Sequence, residues 1–174
     1  MQVRCVLERW PARRAYAKPP PMADAPPPPG RTCALDPGRV RVGVAIDDDL
    51  GLLAHPRGTL DARDRRGLAL ALRRLVEYEH VTRFVVGLPL DMRGGEGGSA
   101  RDARALAQFV ADATGRPVEL WDERLSTVQA LRALATSRVR GKKARAVVDE
   151  AAACAILQSW LDARRARDRA EPER

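Results

Sequence analysis

The residues best placed to do chemistry are acids at the ends of apolar runs. Asp36 closes Cys33-Ala34-Leu35, Asp122 and Glu123 close Val118-Glu119-Leu120-Trp121, and Asp149 lies between Val147-Val148 and Ala151-Ala152-Ala153. One acid at a strand end usually serves a turn or a cap, and one acid on a helix is usually solvated. Asp149 is different, because apart from Arg145 and Glu150 its neighbours are small or apolar. A carboxylate buried there needs a partner, and a cation shared with other carboxylates would serve. Acids arriving from separate elements are what metal-assisted phosphodiester hydrolysis requires. Mg²⁺ prefers oxygen ligands, and two ions about 4 Å apart activate the attacking water and stabilise the leaving oxygen. The basic stretch containing Arg138, Arg140, Lys142, Lys143 and Arg145 could meet the flanking phosphates.

Other chemistries lack their residues. His55 and His80 show no zinc spacing, and no G-x-S-x-G elbow occurs. The glycine stretch Gly94-Gly95-Glu96-Gly97-Gly98 lacks the G-K-[ST] ending of a phosphate loop, so it reads as a surface loop. Cys5, Cys33 and Cys154 form no C-x-x-C pair, which argues against zinc and disulfide frameworks and for a reducing, cytoplasmic setting.

These acids need a scaffold, and 174 residues suffice for one domain with a core of its own. With 45% apolar residues but 4% aromatics, that core is built from Ala, Val, Leu and Ile. No apolar run reaches the roughly eighteen residues of a membrane span. Net charge is 31 − 23 = +8, a balance that favours an anionic partner such as nucleic acid.

Periodicity supplies the elements. Cys33–Asp36 and the alternating Val40–Ile46 read as a hairpin around Pro37-Gly38, with a weaker strand at 56–60. Leu68, Leu72, Leu75 and Val76 place a helix over 62–79. Arg83–Leu88 is a strand stopped by Pro89, and Ser99 with Asp102 predicts the start of a helix that ends at Gly115. After the strand Val118–Trp121, Ser126-Thr127 can cap a short helix to about 136, and a long Ala-rich helix spans roughly 144–166. The order implies an α/β fold, a mixed sheet with helices packed on it.

Four ordered motifs over residues 33–162 then resemble one family. They are Asp36-Pro37-Gly38-Arg39-Val40-Arg41-Val42-Gly43, Val86-Gly87-Leu88-Pro89-Leu90, Asp122-Glu123-Arg124-Leu125-Ser126-Thr127, and Val148-Asp149-Glu150-Ala151-Ala152-Ala153. The chain resembles the YqgF (RuvX-like) family of the RNase H-like superfamily. The resemblance implies an RNase H-like mixed five-stranded sheet with helices on both faces. It implies Asp36, Glu123 and Asp149 as the catalytic, metal-binding acids, with Asp122 as an additional candidate. Arg41 and Arg124 would orient acids or contact phosphate, with Arg138, Lys142 and Lys143 as further nucleic-acid contacts, and Gly87 and Pro89 look architectural. Pro37 stands where the family more often has a bulky residue. The cofactor implied is Mg²⁺ or Mn²⁺. The activity implied is endonucleolytic maturation of the 5′ end of precursor 16S rRNA, with the ribosome as a partner. Two alternatives stand beside it: a Holliday-junction resolvase acting on DNA, for which a homodimer is expected rather than a monomer, and a non-catalytic nucleic-acid-binding factor.

The expected domain runs over 32–163, between a proline-rich disordered tail at 1–31 and a charged tail at 164–174. Eight of thirteen prolines fall in 1–31, and so does half of the net charge, six Lys/Arg against two acids. Met22-Ala23-Asp24-Ala25 offers an alternative start. Intact mass of the native protein is expected to match a Met22 start, and a mass matching Met1 would overturn that.

Overall fold

A computed structural model describes residues 30–90, 97–123 and 142–170, with side chains of the last segment described from 146 onward. The expected disorder of the N-terminal tail, the glycine stretch before Gly97 and the short helix after Ser126 lie outside these residues. Five strands form one sheet: β1 Arg31–Pro37, β2 Arg41–Asp47, β3 Ala54–Asp61, β4 Val81–Leu88 and β5 Val118–Asp122. The helices among the described residues are α1 Arg65–Tyr78, α2 Gly98–Thr114 and α3 Lys142–Ala170. The sheet order is β3-β2-β1-β4-β5. The first three strands form an antiparallel meander, while β4 and β5 join β1 in parallel. This is the mixed five-stranded sheet expected.

Alternation along the strands divides the core in two. Cys33 and Leu35, Val42, Val44 and Ile46, and Phe84 and Val86 face α1 and α2. Ala34, Ala45 and Val85 face α3, which meets them with Ala152, Ala153, Ile156, Leu157, Trp160 and Leu161. Helices therefore cover both faces. Small residues on both sides of the second layer let α3 lie close to the sheet.

Caps and ion pairs explain where the elements begin and end. α1 starts at Arg65, later than the 62 read from periodicity, because the Asp64 side chain accepts from Gly67 N at 2.9 Å. α2 starts at Gly98, not at a Ser99 cap. The extended Gly97 occupies the cap position, and its carbonyl accepts from Ala100 N at 3.2 Å. Gly115, at φ 65°, closes α2 in the left-handed region. β1 begins at Arg31, two residues before the Cys33 start expected from the apolar run. The Arg31 guanidinium pairs with Asp49 and, at 3.1 Å, with the buried Glu79, which Arg57 also approaches at 3.4 Å. α3 runs through residue 164 to Ala170, so the expected charged tail begins inside a helix. Ion pairs Arg164–Asp168 and Arg165–Asp162, with arginines in the last turn, favour that extension.

Trp160 is the largest fully buried side chain among the described residues. Its indole Nε1 donates to Glu119 Oε2 at 2.9 Å, and the guanidiniums of Arg83 and Arg164 each lie 5.6 Å from the ring. Trp160→Ala is expected to cost about 3–5 kcal/mol in urea denaturation. A loss below about 1 kcal/mol would show that α3 does not anchor the second core layer.

Candidate active site

The site forms where β1 ends. Asp36 shares strand parity with Ala34 and points to the α3 face, where it is 5% exposed. Its cross-strand partner is Gly43 on β2. A Cβ on Gly43 would stand 2.7 Å from the backbone carbon of Asp149 and 3.3 Å from Asp36 Cβ. The absent side chain is what lets α3 approach. Helical spacing does the rest: Asp149 sits three and four residues before Ala152 and Ala153, on the same sheet-facing stripe.

Glu123 comes from the other side. β5 pairs Trp121 with Gly87 of β4, and Glu123, two residues on, returns to the same face. It is fully buried, and a Cβ on Gly87 would stand 2.5 Å from its Oε1 and 2.6 Å from Ile156 Cδ1. Gly87 is therefore a cradle for the Glu123 carboxylate. The β1–β4 register, Leu35 beside Val86, carries Asp36 to the level of Gly87. Asp122 has the parity of Leu120, which packs on the α1–α2 layer, so it points to the opposite face from Glu123.

Arg41 shares parity with Gly43, and its Nε donates to Asp149 Oδ2 at 2.8 Å in an ion pair about one quarter exposed. The guanidinium fixes the Asp149 carboxylate against the sheet edge. Burial and the neighbouring Asp149 charge push the Glu150 carboxyl above its ordinary range. Burial raises both described thiols, Cys33 well above the ordinary range and Cys154 to about 11, which keeps them protonated and inert.

The donor chemistry fits a hard divalent cation, since the converging acids offer carboxylate oxygens and no thiol or imidazole. Both glycine positions leave room at the sheet surface for these groups. Among the described residues, however, no three acid, imidazole or thiol side chains form a ready-made cation cage. Asp149 is held by Arg41 instead. Asp36 and Asp149 open into a cleft of about 1040 Å³. Arg124 and Arg138 lie outside the described residues. Lys142 and Lys143 occupy the first turn of α3, and their side chains are not among those described.

The motif spelling includes Gly43 and Gly87, but the sequence alone does not show what each glycine accommodates. The pairing of the strands shows it. Sequence reasoning also passed over Arg39 and Arg65, which line the cleft. Arg65 follows the capping Asp64 and Arg39 follows the Pro37-Gly38 turn, so locally both read as residues of a helix start and a turn rather than of a site.

A glycine inside a strand normally weakens it, so alanine there would ordinarily stabilise. Here Gly43→Ala and Gly87→Ala are each expected to destabilise by about 1–3 kcal/mol, because helix backbone or a buried carboxylate must move. Urea denaturation gives the sign, and stabilisation by either change would refute the close approach.

Residues 30–163 match the RuvX family, described as Holliday junction resolvase. A relative from Myxococcus xanthus is 44% identical over 138 residues, covering 79% of this chain and 91% of the relative. Another, from an Anaeromyxobacter species, is 48% identical over 137 residues, covering 78% and 99%. Both are provisionally named pre-16S rRNA nuclease. Among solved structures, T. thermophilus RuvC in complex with a Holliday junction substrate shares the fold. Its TM-score is 0.51 at 12% identity, covering 79% of this chain and 97% of that one. That likeness places the mixed sheet and its helices among the RNase H-like folds. With the family match spanning most of the chain and identities above 40%, the chain belongs to the RuvX family.

Proposed function

We propose that this protein is a divalent-metal-dependent endonuclease that trims the 5′ end of precursor 16S rRNA in the cytoplasm. The observation carrying this reading is the delivery of Asp36, Glu123 and Asp149 by three different elements to one face of the sheet, over two glycines. The names of the relatives support the substrate.

Asp36, on the central strand, is the acid whose position is most fixed, and it lines the cleft. Glu123, seated over Gly87, and Asp149, held by Arg41, complete the set. Glu123 rather than Asp122 is assigned, because Asp122 faces away. When bound there, Mg²⁺ or Mn²⁺ would supply charge neutralisation at the scissile phosphate and a water of lowered pKa. Arg41 keeps the Asp149 carboxylate oriented through its Nε hydrogen bond. Because one chain carries all three acids, a monomer suffices for cutting a single strand. A four-way DNA junction, with its two-fold symmetry, asks for a dimer.

Asp36→Asn preserves size and is expected to lower cleavage of a labelled precursor 16S rRNA by at least about 10³-fold, with the fold intact. Chelation by EDTA should do the same. Full activity of a clean Asp36→Asn preparation would overturn the mechanism. Cutting of a four-way DNA junction but not of the RNA would replace the substrate, and metal-independent binding without cutting would leave a binding factor.

A further inference from the structure

Asp36 and Asp149 line the cleft, and the rest of its wall carries charge of its own. The β1–β2 turn, α1 and α2 contribute Arg39, Arg65, Ser99 and Asp102 to that lining. Arg65 is the first residue of α1, and its guanidinium lies 3.8 Å from the centroid of the Phe109 ring on α2. Among the described residues neither Arg39 nor Arg65 pairs with a carboxylate. Arg31, Arg41, Arg57 and Arg63 all do. The cleft thus contains one arginine committed to an acid, Arg41, and two that are not.

We propose that Arg39 and Arg65 form a phosphate-binding subsite that holds the RNA strand beside the scissile bond. This rests on the nuclease reading above and adds to it the residues that position the substrate. A guanidinium lying on an aromatic ring is restrained before any ligand arrives, so less conformational freedom is lost on binding. Its planar fork suits phosphate oxygens. An anionic strand would satisfy this wall while its scissile phosphate lies towards the acids, so one ligand answers both sets of charges. Contacts of this kind position a strand without reading its sequence. Asp102 is the opposing charge on the wall and should weaken the same interaction.

The test is equilibrium binding of a labelled precursor 16S rRNA fragment to the full chain in an Asp36→Asn background, across a salt series. For single strands each lost phosphate contact lowers the slope of log K against log salt by about 0.7. Arg65→Gln and Arg39→Gln are each expected to produce that change, and Arg65→Lys to retain most of the slope. Asp102→Asn is expected to tighten binding. Arg39 and Arg65 are exposed, and thermal unfolding confirms that each variant is folded. Unchanged slopes in both glutamine variants would overturn the subsite while leaving the nuclease reading intact. If the parent binds a four-way DNA junction rather than the RNA, the same slope comparison is made on the junction. If it binds neither, the nuclease reading falls and the subsite with it.

Discussion

The site depends on one close approach, that of helix α3 to strand β2. A helix normally stands off a sheet by the thickness of two side-chain layers. Here that spacing collapses at Gly43, where the Asp149 backbone takes the space a side chain would fill. Ala34 and Ala45 on the sheet and Ala152 and Ala153 on the helix continue the thin layer. Further along α3 the layer thickens, with Ile156, Leu157, Trp160 and Leu161 filling it. The helix is therefore pinned by bulk at one end and by missing bulk at the other. Its pinched end is the one bearing Asp149.

That pinch sets the electrostatics. Buried carboxylates are unfavourable unless something compensates them. Glu123 is fully buried and Asp36 nearly so, while Asp149 remains about one quarter exposed. Arg41 reaches the most accessible of the three, and partial exposure keeps that ion pair modest in strength. A modest pair is suitable here. A fully desolvated Arg–Asp pair would be costly to break, whereas this one can yield when other charges enter the cleft. The network around Glu79 shows the contrast, with a buried acid shared by Arg31 and Arg57 at the opposite end of β1 from Asp36.

Much of this was legible in the sequence. Alternation placed β1 and β2, the leucine spacing placed α1, and four ordered motifs pointed to the acids. What could not be read was geometry between elements. Asp122 and Glu123 are adjacent and chemically alike, and only strand pairing with Leu88 and Gly87 separates their faces. The start of α2 was missed because Gly97 caps it without a polar side chain, that of α1 because its apolar spacing does not mark the Asp64 cap, and the end of α3 because ion pairs carry it beyond residue 166. Arg39 and Arg65 lie 26 positions apart in sequence and meet only through the cleft. No local pattern could join them.

The two-residue period of the strands also explains how one small sheet serves two purposes. Cys33 and Leu35 commit one face of β1 to the larger apolar core under α1 and α2. Ala34 and Asp36 commit the other face to α3 and the acids. A shift of pairing by one residue would exchange these faces, forcing leucine into the thin layer under α3 and burying aspartate in the larger core. The larger core therefore enforces the register on which the acids depend. Because β1 is central, flanked by β2 and β4, its register is fixed from both sides. Asp36 is thus held more firmly than any acid on an edge strand or a helix could be, which suits it to be the fixed point about which Glu123 and Asp149 are arranged.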